Sequence, residues 1–133
     1  GGDGSGMDGD LLRALVNCDT DIIGALDRFA GNEKLYVSCL NAFLEDRSLA
    51  ELCAAITARD WDEAFTAAHA LKGLAGNMGF VPIFHTTAEI VVLIRTGKTK
   101  DLGASLSELQ SQYGDLTLAI RRNCRQDAEN EGS

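Results

Sequence analysis

His69 stands in a segment whose residue types and spacing can support phosphoryl chemistry. Lys72 follows it by three residues and Gly73 by four, so the three lie on neighbouring turns of a helix. A free imidazole has an unperturbed pKa of about 6.5, so its neutral and nucleophilic form is abundant near neutral pH. Phosphoryl transfer needs mainly positioning and charge stabilisation, which an ammonium group one turn away can supply. The pattern predicts His69 as a phosphoacceptor and Lys72 as the residue that stabilises phosphate charge.

The helix expected to carry these residues has one apolar face and one bare face. Asp60, followed three residues later by Glu63, is typical of a helix start, and Gly79 is typical of a helix end. On a wheel advancing about 100° per residue, the predicted buried arc contains Trp61, Ala64, Phe65, Ala67, Ala68, Leu71, Leu74, Ala75 and Met78. The opposite arc, predicted to face solvent, contains Asp62, Thr66, His69, Gly73, Gly76 and Asn77. Lys72 lies at the boundary between the two arcs.

Gly73 and Gly76 lie inside this helix, where each is less favourable than alanine by about 1 kcal/mol. Both fall on the face of the histidine, where we expect neither to serve the core. Such departures from local preference tend to mark functional sites. A bare convex helix around an exposed imidazole suits the concave site of a partner protein better than it suits a small substrate. We therefore expect a partner-docking face formed by Gly73, Gly76, Asn77 and Gly79, although Gly79 equally fits a helix C-cap.

Thr66 and His85 are two further polar residues in or near the motif. Thr66, three residues before His69, is a candidate to hydrogen-bond the second ring nitrogen and so fix the imidazole tautomer. His85 lies opposite an apolar stripe and has no lysine or glycine pattern around it, so we interpret it as solvated surface. The sequence contains no evident Gly-rich nucleotide loop or carboxylate cluster for magnesium. We expect no cofactor, no metal site and no autonomous kinase activity, those functions belonging to a partner.

The remaining sequence predicts the all-α domain that must position this helix. Its 133 residues suffice for one domain, and abundant Ala, Leu, Glu and Arg with a single proline favour helix. Residues 1–6 are interpreted as a flexible linker or leftover cloning residues, 7–125 as the domain and 126–133 as a polar tail. The predicted helices cover 7–16, 19–29 (capped by Asp19 or Thr20), 32–45, 48–58, 60–78, 82–96 and 101–124. Long helices with short connections indicate an antiparallel four-helix bundle with one or more short accessory N-terminal helices.

The net charge and the cysteines indicate which classes of partner and which cellular compartment to expect. The net charge of −8 disfavours nucleic acid and anionic membranes as partners, and no apolar run is long enough to span a bilayer. The four cysteines are far apart, without a C-x-x-C pair, and each falls in or beside a predicted helix. We expect them to be buried thiols, which indicates a reducing, cytoplasmic setting. We expect the protein to be monomeric.

The stretch His69-Ala-Leu-Lys72-Gly73-Leu-Ala-Gly76-Asn77-Met-Gly79 resembles the H-x-L-K-G-x-x-x-x-x-G core of histidine-containing phosphotransfer (HPt) domains. The preceding segment, Asp60 to Ala68, also resembles these domains, as do Phe43-Leu44-Glu45-Asp46 and Arg95-Thr96-Gly97. The resemblance therefore covers roughly residues 9–124. It implies a four-helix bundle whose exposed histidine exchanges phosphate with the aspartate of a receiver domain in a multistep phosphorelay. The implied partner is a receiver domain, a hybrid histidine kinase, or both. The chain departs from the family at Val91-Val92, where Leu-Glu is frequent, and Glu89 lies three positions early.

Other functions stay open at this point. A phosphoacceptor domain of a chemotaxis-type kinase looks similar but receives its phosphate from a kinase domain. A docking module of the same shape would bind a receiver without accepting phosphate, which the intact His69 disfavours. An enzyme using His69 as a general base is disfavoured because the motif offers neither an orienting acid nor an oxyanion device. The dimerisation segment of a histidine kinase would require a catalytic domain, for which 133 residues leave no room.

Overall fold

The computed structural model describes residues 7–132, with side chains up to residue 124. The predicted linker 1–6 and the side chains of the predicted tail 126–133 lie outside the described residues. The described helices are α1 (Gly9–Asn17), α2 (Ile22–Arg28), α3 (Glu33–Phe43), α4 (Ser48–Ala58), α5 (Trp61–Met78), α6 (Val81–Arg95) and α7 (Leu102–Gly132). A single 3₁₀ turn, Thr99–Asp101, precedes α7. The predicted all-α class is confirmed, and no described helix combines the length and apolarity needed to cross a membrane.

Helices α4 to α7 form the bundle, and α5 lies at its centre. Helix α5 packs against both α4 and α6, and α6 packs in turn against α7. Two residues join α4 to α5, and two join α5 to α6, so these neighbours must run antiparallel. Helices α1 and α3 pack against α7, and α2 packs against α5. The N-terminal helices are therefore accessory to the bundle, as the sequence predicts.

An aromatic group centred on Phe43 fills one part of the core. The ring centroid of Phe43 lies 4.9 Å from that of Phe80 and 4.9 Å from that of Tyr113. These rings join α3, the turn before α6, and α7. Around them pack fully buried aliphatic side chains, which include Leu11, Leu15, Leu40, Leu52, Leu71, Ile83, Ile90, Leu109 and Leu116. This continuous core holds α5 in place from one side only and leaves its other face free.

The start of α2 differs from the prediction. The cap is Asp21, whose carboxylate accepts from the N–H of Gly24 at 3.0 Å, rather than Asp19 or Thr20. The physical reason is tertiary, because the N–H of Asp21 donates to the carbonyl of Gly79 at 2.7 Å. This contact ties the start of α2 to the end of α5. Thr20 forms an isolated β-bridge with Phe80 as part of the same junction.

The last helix is also longer than predicted. Its backbone continues as helix to Gly132, past the predicted end near residue 124. Gln, Ala and Glu are good helix formers and occupy much of the added segment, which explains the extension. The predicted domain boundary near residue 125 stays a prediction.

Tyr36 ties α3 to the end of α5. Its side chain is fully buried, and its hydroxyl donates to the carbonyl of Met78 at 2.7 Å. Burial raises the pKa of the Tyr36 hydroxyl, so the group stays protonated and keeps its role as donor. The hydrogen bond joins an accessory helix to the last turn of α5.

We predict that Tyr36→Phe lowers the free energy of unfolding by about 1–3 kcal/mol, because the buried carbonyl of Met78 loses its donor. Urea denaturation measures the change. Tyr113→Phe is the matched control, since the Tyr113 hydroxyl contacts Asp46 in a part-buried position where water can replace it. The control should lose less stability. Wild-type stability of Tyr36→Phe would contradict the proposed role of this hydrogen bond.

Candidate functional site

His69 lies near the middle of α5 and its side chain is exposed. The predicted apolar arc of this helix is turned inward: Ala64, Ala67, Ala68, Leu71, Ala75 and Met78 are buried, and Trp61, Phe65 and Leu74 are half-buried. The opposite arc is mainly open, with Asp62, Thr66, His69, Gly73 and Asn77 exposed and Gly76 half-buried. Lys72 is half-buried at the boundary, as the wheel predicts. The imidazole therefore stands on the outer surface of a helix fixed by the core behind it.

Both ends of α5 are defined by local contacts. Asp60 accepts from the N–H of Glu63 at 3.2 Å and caps the start of the helix. Gly79 ends it with a φ of +79°, a left-handed conformation that favours glycine. An added Cβ at Gly79 would collide with the backbone carbonyl of Asp21. Gly79 is buried, so its assignment to the exposed docking face is wrong, and the alternative role of C-cap is the one it plays.

An aromatic ring lies beside the imidazole. Phe65, one turn before His69, has its ring centroid 5.8 Å from that of the imidazole, and the two planes differ by 23°. The guanidinium carbon of Arg95, in the last turn of α6, lies 5.6 Å from the centroid of Phe65. The helical wheel predicts Phe65 in the core arc, and no pattern in the sequence predicts a role for Arg95 at this site. The contact of Phe65 with His69 could have been predicted from the sequence, because residues four apart in a helix are neighbours on its surface.

Lys72 points toward α6 in this structure. Its Nζ lies 5.8 Å from the centroid of Phe84, a half-buried ring of α6. Two cations near His69, Lys72 and Arg95, are thus each seated over a phenyl ring. Such a contact at a part-exposed position contributes about 0.5–1 kcal/mol, so it restrains the cation weakly.

Thr66 does not hydrogen-bond His69, and the predicted role in fixing the tautomer is wrong for this structure. Its hydroxyl donates to the carbonyl of Asp62 at 3.0 Å. This is the usual bond of a threonine inside a helix, where the carbonyl four residues earlier is the nearest acceptor. The hydroxyl proton is therefore used within α5.

The two interior glycines differ in their surroundings. An ideal Cβ at Gly73 would have no heavy atom within 4 Å outside its own helix backbone, so this position is open space. At Gly76 the same atom would lie 3.3 Å from the ring of Phe84. The prediction that neither glycine serves the core is wrong for Gly76, because its missing side chain makes room for a ring of α6. Asn77 is exposed, and its carbonyl accepts from Nε of Arg28 at 3.0 Å.

His85 and a cavity between α1, α6 and α7 lie away from this face. His85 is exposed on α6 and meets Phe84 edge-on, with ring centroids 5.7 Å apart. At the departure from the family pattern, Val91 is buried and Val92 is 54% exposed, so the surface of α6 is apolar there. A cavity of about 260 Å³ lies between α1, α6 and α7, and no residue of α5 lines it. Within the described residues no group of three or more His, Cys, Asp or Glu is placed to hold a metal ion.

Gly73, inside α5, and Gly79, which ends it, should respond in opposite ways to replacement by alanine. Gly73→Ala should raise the free energy of unfolding by up to about 1 kcal/mol, because the site is open and alanine favours helix. Gly79→Ala should lower it by at least about 1 kcal/mol, because the left-handed backbone and the Asp21 carbonyl both oppose a Cβ. Chemical denaturation of the two variants measures the difference. Gly114→Ala, another open helical glycine, is the control and should behave like Gly73→Ala. A stabilising Gly79→Ala would contradict the assigned cap.

Comparison with known proteins matches a family model described as "Hpt domain" to residues 40–121. The match covers more than half of the chain and includes α5 with His69, Lys72 and the glycines. No curated protein and no solved structure gives a match. The exposed histidine on the central helix of an all-α bundle agrees with this result. The chain therefore belongs to the Hpt domain family, the histidine phosphotransfer modules of phosphorelays.

Proposed function

We propose that this protein accepts a phosphoryl group on His69 from the aspartate of one receiver domain and passes it to the aspartate of another. The observation that carries the proposal is the exposed imidazole of His69, standing on an outer turn of α5 next to the open space at Gly73. A receiver active site is large and concave, so it must approach over a surface free of bulky side chains. The turn after His69 offers such a surface.

The proposed reaction is a direct exchange between nitrogen and oxygen. The lone-pair nitrogen of the neutral imidazole attacks the phosphorus of the aspartyl phosphate, so an N–P bond forms. The P–O bond to the aspartate breaks, and the carboxylate leaves with that electron pair. The second imidazole nitrogen keeps its proton throughout. Attack by the carboxylate of a second receiver reverses these bond changes and releases neutral imidazole.

Lys72 is proposed to stabilise the phosphoryl group once it is on His69. Charge-assisted hydrogen bonds to a phosphate contribute about 1.5–3 kcal/mol. The contact of Lys72 with Phe84 is weaker than that, at about 0.5–1 kcal/mol. The long flexible side chain can therefore exchange the ring for the phosphate. Because the backbone N–H groups in mid-helix are already bonded, a side chain must supply this charge.

The proposed setting is a cytoplasmic monomer whose domain spans about residues 7–125. Cys18, Cys39 and Cys53 carry free thiols, which suits a reducing compartment. All three are half-buried rather than fully buried as predicted. Burial, together with the nearby carboxylates of Asp115 and Asp19, raises the pKa of the Cys18 thiol and keeps it protonated. The metal and nucleotide chemistry of the pathway are proposed to reside in the partners.

We predict that incubation with a phosphorylated receiver domain of the same pathway gives one acid-labile, base-stable phosphoryl group, as a phosphoramidate should be. His69→Gln should fold normally, because the side chain is exposed, and should gain no label. His85→Gln is the matched control, also exposed, and should be labelled like the wild type. Quantified phosphoryl transfer from the labelled receiver tests all three proteins. Labelling of His69→Gln would refute the assignment.

The same assay separates the alternatives that the sequence left open. Incubation with ATP alone should give no labelling, since the chain is proposed to lack kinase activity. Labelling by an isolated kinase domain but not by any receiver would identify a chemotaxis-type phosphoacceptor. Receiver binding without labelling of the wild type would instead identify a docking module that does not accept phosphate.

We also predict that a bulky residue at Gly73 blocks docking while the fold is kept. Gly73→Leu should fold with at least wild-type stability, because its side chain enters open space, yet transfer from the receiver should fall by more than about tenfold. Gly114→Leu is the control, since Gly114 is an equally open helical glycine on α7, and it should transfer normally. Stopped-flow or quench-flow transfer rates measure the effect. Normal transfer by Gly73→Leu would show that the partner does not approach over this turn.

A further inference from the structure

We infer that Phe65 is a positioning residue whose ring sets the plane of the His69 imidazole for phosphoryl transfer. The inference rests on the proposed function and deepens it, by naming what orients the nucleophile. Phe65 and His69 lie one turn apart on α5, with ring centroids 5.8 Å apart and planes that differ by 23°. This is an offset-stacked arrangement within the range that aromatic pairs prefer.

The plane of the imidazole decides the direction of attack. The lone pair of the neutral imidazole nitrogen lies in the ring plane, so the phosphorus must approach within that plane for its orbitals to align. A phenyl ring stacked on one face restricts the plane without covering the edge that carries both nitrogens. A contact of this kind therefore orients His69 and leaves it reactive.

Phe65 is itself held by the bundle. Its side chain is half-buried, and the guanidinium carbon of Arg95 on α6 lies 5.6 Å from its ring centroid. The phenyl ring is thus contacted from both α5 and α6. The orientation of the imidazole is in this way linked to the packing of α5 against α6.

The other neighbours of His69 on α5 offer little restraint. Ala68 is buried, Ala70 ends at a methyl group, and Gly73 presents no side chain. The ammonium group of Lys72 is turned toward Phe84 on α6. The hydroxyl of Thr66 donates to Asp62 and not to the imidazole. Of the aromatic rings in the described part of the chain, the ring of Phe65 is the one that stacks on His69. Orienting a side chain before the partner arrives is expected to change a rate by about two- to tenfold.

The test compares Phe65→Leu, which removes the ring but keeps apolar bulk, with Phe65→Tyr, which keeps the ring. Proton NMR of the His69 ring protons should show an upfield ring-current shift in the wild type and in Phe65→Tyr that is lost in Phe65→Leu. At a saturating concentration of phosphorylated receiver, the transfer rate of Phe65→Leu should fall about three- to tenfold, with Phe65→Tyr near the wild type. The affinity for the receiver should be the same in all three proteins, because the change acts on orientation.

Several outcomes would overturn the inference. Loss of the ring-current shift without a slower transfer would show that the stack does not position the nucleophile. Equal slowing of the Leu and Tyr variants, or weaker receiver binding with an unchanged saturated rate, would make Phe65 a packing or docking contact. Phe65→Met, which is unbranched and retains helix preference, replaces the leucine variant if that protein does not fold. Failure of the proposed function is distinguishable, since wild-type protein would then gain no label from any receiver.

Discussion

The packing of α5 between α4 and α6 is the interaction on which the site depends. The buried face of α5 is largely alanine, with Ala64, Ala67, Ala68 and Ala75 all buried, so its two neighbours can approach closely. Close packing on one side fixes the axis and rotation of the helix. The rotation determines that His69, five residues after Ala64 and one after Ala68, points outward. The imidazole proposed to react is therefore positioned by the core on the other side of the helix rather than by a pocket around it.

Basic side chains lie along α5 although the protein as a whole is acidic, with a net charge of −8. Lys72 lies over Phe84, Arg95 lies over Phe65 beside His69, and Arg28 donates to the carbonyl of Asn77 near the end of α5. A cation near a helix C-terminus also interacts favourably with the helix dipole. Positive charges of this kind would attract the phosphorylated receiver domain that we propose as the partner, while the acidic net charge disfavours binding to polyanions.

Much of the fold was predictable because helix periodicity and helix ends are local properties. The limits of α4 and the end of α5 at Met78 follow from the apolar pattern and from the residues that flank them. The failures arise where tertiary contacts decide. Asp21 caps α2 because its N–H meets Gly79 from another part of the chain. Thr66 is a local exception, since its hydroxyl donates to the carbonyl of Asp62, four residues earlier in the same helix, and not to His69.

The places of the candidate residues on α5 were predictable from the sequence, but their contacts were not. The three glycines of the motif have different surroundings. Gly73 faces open space, Gly76 lies against a phenyl ring, and Gly79 is a left-handed helix cap packed against Asp21. A helical wheel assigns the first two to one face because it contains no neighbouring helix. Once α6 is present, Gly76 becomes the place where Phe84 enters, and Phe84 in turn is the ring over which Lys72 lies. The missing side chain at Gly76 thus makes room for the ring over which Lys72 lies, a contact between two helices that a single-helix wheel does not contain.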